Sequence, residues 1–419
     1  MPHPRLLAQN AAFPKRITEL AQGLFAATGY AASNAHLVAG EGEAAIVDTT
    51  ESTAAAENVL AAFRDISEAP VTAIHYTHGH RDHISGASVF AGDGAPEITA
   101  SSRFASDLLG PPNGPRKALM DRTRRQFGFG LEFPGERVNL GCGPGDRPVE
   151  GMGAGFLPPT RLIAEERSGA TLAGHQVEFV HAPGETPDHL MVWFPGPRVL
   201  ISGDNYYQAF PNLYAIRGTP YRDFDAWADS LGLMLELEPE VLAPGHTLPV
   251  FGREAVAERL TDYRDAIRFV TDATAEAMDS GEGTDAIAAR LRLPERLAGK
   301  PWLAEVYGKL AWSARAYATG TLGWFDGNPT NLDRLPPVEE AQRMISLAGG
   351  AARVLAEAEG TDDPQWTLEL VDRLLAAGEE IDAARAAKAR ALCAKAEVEE
   401  NATARNTYLV CAKELEGGG

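Results

Sequence analysis

The stretch Thr77-His78-Gly79-His80-Arg81-Asp82-His83 constrains this chain more than any other. Three imidazoles and a carboxylate within six residues can turn toward one point only on a tight loop. The apolar run VTAIHY just before them puts that loop at the end of a strand. Neutral imidazole and ionised carboxylate are good zinc ligands. Five of the ten histidines stand at positions 75, 78, 80, 83 and 246, a concentration that weighs against a polar loop rich in His by chance. The loop is therefore read as half of a metal site.

A chain of 419 residues is long for one domain, and its pattern changes once along its length. From about Ile17 to Gly252, short β-like runs end at Gly, Pro or Asp, as in HQVEFVHAPG and LMVWFPGPRVLISGD. Amphipathic stretches such as TAAAENVLAAFRDI separate them, so an α/β layered body is expected over residues 1–253. From about Glu254, strand-like runs nearly vanish and Ala, Glu, Arg and Leu recur at helical spacing. Residues 254–419 are expected to form an all-helical second domain of stacked helix pairs. It contains one irregular stretch, GTLGWFDGNPTNLDRLPPVE.

A formal net charge of −20 excludes a partner such as nucleic acid or an anionic membrane. An anionic substrate would be repelled as well, unless metal ions and local Arg residues reverse the field inside the site. Cys142, Cys393 and Cys411 lie far apart with no CxxC pair, so neither a thiolate zinc site nor a disulfide framework is indicated. With no long apolar run after the basic N-terminal residues, no signal peptide or membrane span is read, and a reduced cytoplasmic setting is expected.

His78-x-His80-x-Asp82-His83 resembles the metal motif of the metallo-β-lactamase superfamily, whose remaining ligands follow from later strand ends. The chain has candidates in HAPGETPD, ISGDN and LAPGHT, namely Glu185, Asp204 and His246. The commoner pattern carries His where Glu185 stands. A Glu there, with a second acid nineteen residues on, resembles the alkyl sulfatases of this fold. That family usually has Glu at the position of Asp204, so the reach here is one methylene shorter. NLYAIRGTPYRDFDAW, YRDAIRFV, LGWFDGNPTNLDRLPPVEEA, VDTTES and GFLPPT also look like alkyl sulfatase segments, so the resemblance covers nearly the whole chain.

This resemblance implies an αββα metallo-β-lactamase sandwich over residues 1–253 and a helical dimerisation domain over 254–419. No counterpart of the sterol-carrier-like third module of long alkyl sulfatases is expected, the sequence reaching only to near Glu416. It implies two zinc ions per chain. His78, His80 and Glu185 would hold one, Asp82, His83 and His246 the other, with Asp204 bridging, so that Asp82 and Asp204 are the candidate catalytic carboxylates. Arg217 is placed on a sulfate, where a guanidinium fork suits a tetrahedral oxyanion. Asn212 and Tyr214 are weaker companions that could equally be turn or core residues. The implied activity is hydrolysis of alkyl or aryl sulfate esters by a metal-bound hydroxide, in a homodimer.

Three departures bear on the substrate. The family's His-rich segment becomes YYQAFPNLY, replacing the expected proton-donor His near Pro211. Its Tyr-Gly-Asn motif becomes QFGFGLEF, and Phe127 and Phe129 cannot make the same hydrogen bonds. The third module is expected to be absent. His181 and His189 could stand behind the metals or donate a proton, though a plain core or rim position suits both. The alternative is another hydrolase of this fold, acting on a phosphodiester, ester, lactone or lactam. An iron oxidoreductase is disfavoured by His80, and a non-catalytic scaffold by the full ligand set.

Overall fold

The runs read as strands do form strands, and they assemble into two sheets in a computed structural model that describes residues 1–105 and 114–417. The first sheet has seven strands in sequence order. These are β1 (Arg16–Ala21), β2 (Leu24–Thr28), β3 (Ala35–Ala39), β4 (Ala44–Val47), β5 (Val71–His75), β6 (Glu97–Ser101) and β7 (Arg161–Ile163). The second has six: β8 (Arg167–Leu172), β9 (His175–His181), β10 (Leu190–Phe194), β11 (Val199–Gly203), β12 (Val241–Pro244) and β13 (Val250–Phe251). β4 to β7 pair in parallel, as do β11 and β12, and the other pairs are antiparallel.

Strand β10 explains the layering. All of Leu190-Met191-Val192-Trp193-Phe194 is buried. Period-two alternation sends Leu190, Val192 and Phe194 into the core between the sheets, against Leu24, Val38 and Val47. Met191 and Trp193 point the other way, into a core shared with Trp227, Leu231 and Leu260 of covering helices. The first sheet is covered likewise by Val59 and Phe63 of the Thr53–Arg64 helix. Two sheets with helices outside both make the expected αββα sandwich. Ser52 starts that helix, its Oγ accepting the Ala55 N–H at 3.1 Å, and Asp223 does the same for the Phe224–Glu236 helix.

Beyond residue 252 every described element is helical, apart from turns and connections. The Arg253–Asp279 and Leu310–Leu322 helices nevertheless share one apolar core with the second sheet, through Tyr263, Ile267, Val270, Leu310 and Ala314. A separate core forms only further on, where Ile345, Val354, Leu370, Leu374 and Ala384 meet. The last helix, Ala402–Glu416, returns to pack on the Arg116–Gln126 helix of the first part. Among the described residues no helix is long and apolar enough to cross a membrane.

Candidate metal centre

The residues that follow β4, β5, β11 and β12 meet at one edge of the sandwich. After β5 the chain turns at once into the His78 loop, and a short helix from Arg81 to Ile84 presents Asp82 and His83 on one side. Asp204 directly follows β11, and His246 stands two residues past β12. Gly245 allows their approach: a Cβ there would lie 2.3 Å from Asp204 Oδ1 and 2.9 Å from His83 Cε1.

Two donor groups result. His78, His80 and Asp204 offer atoms all within 4.8 Å of one another, and so do Asp82, His83 and His246. Asp204 touches both groups. Its Oδ1 is 3.4 Å from His83 Nε2, and its Oδ2 is 3.1 Å from His246 Nε2 and 3.7 Å from His78 Nε2. Tetrahedral ligands about 2.1 Å from one zinc ion stand about 3.4 Å apart, so these spacings suit such an ion. Glu185 lies outside both groups. Its Oε1 is 2.6 Å from Arg222 Nη1, while its Oε2 is buried without a hydrogen-bond partner.

The partners of the donor atoms test whether a metal fits. His78 Nε2, His83 Nε2, Glu185 Oε2 and Asp204 Oδ1 are buried and unpartnered among the described residues, a condition that native interiors rarely tolerate unless an ion is to be held. The other ring nitrogens are engaged. His83 Nδ1 donates to Asp48 Oδ2 at 2.8 Å, and His246 Nδ1 donates to the Ala32 carbonyl at 2.7 Å. His78 Nδ1 lies 3.0 Å from Thr77 Oγ1, which donates its own proton to Asp48. Each ring is thereby fixed in the tautomer that presents Nε2.

Electrostatics agree. Burial disfavours a charged His83, but Asp204, Asp48 and Asp82 outweigh it and raise the ring well above its ordinary range. Burial is likewise overcome at His246, chiefly by Asp204. These carboxylates create a demand for positive charge that a metal can meet. Desolvation and then Arg217 and Arg222 hold His80 well below its ordinary range. Burial pushes the Glu185 carboxyl up to about 7 against the pull of Arg222.

A cavity of about 110 Å³ opens beside Asp82. Arg217, Arg81, Arg147 and Glu51 supply its polar lining, and Leu119, Met120, Phe127, Phe129, Leu140 and Met152 its apolar wall. Residues 28–246 match the metallo-beta-lactamase superfamily, and residues 283–418 match alkyl sulfatase dimerisation. A linear primary-alkylsulfatase of Pseudomonas sp. (strain ATCC 19151) is 37% identical over 383 residues, 89% of this chain and 72% of that one. The chain belongs to the alkyl sulfatase family. The alkyl/aryl-sulfatase BDS1 of Saccharomyces cerevisiae is 30% identical over 96% of this chain, which spans 64% of that protein. The solved structure of the stereoselective inverting sec-alkylsulfatase Pisa1 from Pseudomonas sp. superposes with a TM-score of 0.90. It is 28% identical, and the match covers 99% of this chain and 68% of that one.

Within this member of the alkyl sulfatase family, the residues picked out from sequence separate in space. Arg217 reaches the cavity, as do Phe127 and Phe129. Asn212 and Tyr214 are not on its wall. Asn212 is buried, with its N–H donating to Tyr207 Oη at 2.8 Å and its carbonyl accepting from Arg222. His189 stacks on His78 with centroids 4.1 Å apart, and its Nε2 accepts the Asp204 N–H at 3.2 Å. It lies behind the donor groups rather than in the cavity. His181 is buried against the Ile163 carbonyl. Asp48, Arg81, Arg147 and Arg222 carry no role in the sequence reading. Asp48 lies in VDTTES and Arg222 in NLYAIRGTPYRDFDAW, both of which matched the family only as strings, Arg81 lies inside the His78 to His83 motif, and nothing local marks Arg147.

Proposed function

We propose that this chain hydrolyses sulfate esters of alkyl or aryl alcohols at a pair of zinc ions. The observation that carries the reading is the pair of donor groups sharing Asp204, next to a cavity that Arg217 enters. In this reading His78, His80 and Glu185 hold one ion, Asp82, His83 and His246 the other, and Asp204 both. Zinc bound there would supply a Lewis acid and acidify a water molecule. The chain's own residues do the rest. Arg217 grips the sulfate through a charge-assisted fork, Arg222 favours the ionised form of Glu185 against its burial, and Asp48 and the Ala32 carbonyl hold His83 and His246 in register. Phe127, Phe129 and Leu119 exclude water and lie against the apolar part of the substrate.

The four arginines around the cavity and donor groups also answer a difficulty posed by a chain of net charge −20, because they reverse its field where an anion must enter. A panel of alkyl sulfates, aryl sulfates, phosphodiesters and lactams tests the assignment. Turnover of sulfate esters is expected to exceed that of the other classes. Turnover confined to phosphodiesters or lactams would leave only the family membership standing.

The protein is further proposed to work as a homodimer joined through residues after about Glu254. Leu322, Trp324, Leu332, Val338 and Leu347 are exposed, Trp324 at 73% and Leu347 at 83%, an apolar display of the kind that marks an interface. In a C2 pair the same patch serves both chains. Light scattering at micromolar concentration should report a dimer, and combining Trp324→Asp with Leu347→Asp should shift it to monomer. A wild-type monomer would remove the proposal.

A further inference from the structure

The cavity beside Asp82 carries more positive charge than one sulfate monoester needs. Three guanidiniums line it, Arg81, Arg147 and Arg217, against Glu51 once Asp82 is assigned to the donor groups. They come from different walls. Arg217 belongs to the wall built on the Arg116–Gln126 helix, its N–H donating to Gln126 Oε1 at 2.8 Å. Arg147 stands on loops of the first sheet: its Nε is 2.8 Å from Glu51 Oε1, and Glu51 Oε2 accepts the Ala32 N–H at 2.7 Å. Arg81 stands between the donor residues His80 and Asp82.

Arg147 is the decisive member. Its side chain is only 3% exposed, yet Nη1 has no hydrogen-bond partner among the described residues, and neither does Arg81 Nε. Among the described residues Glu51 forms an ion pair with Arg147 and none with Arg81. Arginines that line a cavity and keep N–H groups without a protein partner are suited to an oxyanion that arrives with the ligand.

We infer that the substrate is a sulfate ester bearing a second anionic group, a carboxylate, which docks on Arg81 and Arg147 while Arg217 takes the sulfate. This rests on the sulfatase reading above. The apolar wall of Leu119, Met120, Phe127 and Met152 then accommodates the carbon chain between the two anions. The substrate class is the sulfated hydroxycarboxylic acid, and the plain alkyl sulfate is its weaker analogue.

The test compares butyl, hexyl and octyl sulfate with their ω-carboxylated counterparts and with the matching bis-sulfates, using the zinc-loaded protein. At the best chain length the carboxylated ester should have the higher kcat/KM by about tenfold or more, the effect of one charge-assisted contact. Arg81→Gln, and Arg147→Gln combined with Glu51→Gln, should bring that ratio toward one. If these variants do not fold, inhibition of the wild-type protein decides: the free ω-hydroxycarboxylate should compete with hexyl sulfate far better than the corresponding diol does. Equal kcat/KM for plain and carboxylated esters overturns the inference. So does an equal loss on both substrates in Arg81→Gln, which would put Arg81 on the sulfate itself. Preference for the bis-sulfate alone would replace the carboxylate with a second sulfate. No turnover of any sulfate ester would instead bring down the underlying reading.

Discussion

Asp204→Ala is expected to cost the protein both metal ions and to lower kcat/KM for a sulfate ester by more than about 100-fold. Losing a residue that merely orients a ligand typically costs about 10–100-fold in affinity or activity, and Asp204 stands closer than that. Its two oxygens face His83, His246 and His78 at 3.1 to 3.7 Å, so it touches both donor groups. His80→Ala provides the contrast. It removes a donor from one group alone, and should lose one ion together with most of the activity. Elemental analysis of dialysed protein reads both outcomes, with about two zinc ions per wild-type chain as the reference. A wild-type preparation holding a single iron and no zinc would sink this scheme, as would an Asp204→Ala variant that keeps two zinc ions.

Arg217→Ala should weaken hydrolysis of a sulfate ester while leaving zinc content unchanged. A charge-assisted contact to a buried oxyanion contributes roughly 1.5–3 kcal/mol, or about 10–200-fold in kcat/KM. The geometry favours a clean experiment. The backbone N–H of Arg217 is held by Gln126, so truncating the side chain leaves the chain in place. Among the described residues the guanidinium has one hydrogen bond to lose, a long one of 3.4 Å to the Gly218 carbonyl. Arg81 and Arg147 in the same cavity can partly compensate, which favours the lower end of the range. A neutral ester or lactam should be affected far less. Wild-type protein that ignores every sulfate ester, yet turns over a neutral substrate regardless of Arg217, would end the sulfatase assignment.

What could be read in advance followed from how local each signal is. The His78 to His83 ligands lie within six residues, and their spacing alone requires them to converge. The sandwich was legible because strand runs such as LMVWF end at Gly, Pro or Asp. Asp48 and Arg222 are single polar residues whose meaning depends on partners 35 and 37 positions away, His83 and Glu185. Arg147 depends on Glu51, and Glu51 on Ala32. No periodicity marks such pairs, because only the folded chain brings them together. A change of character near residue 254 was visible as composition, but composition could not reveal that Tyr263 and Ile267 would join the core of the second sheet. Asn212 suggested a substrate contact by its neighbourhood in sequence, and only the folded chain shows its backbone engaged with Tyr207 and Arg222.

The return of the last helix has a consequence for how such a protein can change. Asn406 donates to the Gln126 carbonyl at 3.4 Å, Arg125 pairs with Glu414 at 2.8 Å, and Lys413 pairs with Glu136 at 2.6 Å. One wall of the cavity, with Leu119, Met120, Phe127 and Arg217, is therefore braced from the C-terminal end of the chain, while the donor groups are braced by the sheets. In the proposed reading, chemistry and selectivity rest on separate supports. Drift in the final helix can re-tailor which tail the enzyme accepts without disturbing the reaction centre, so new specificities are open to this lineage through positions far from any reacting atom.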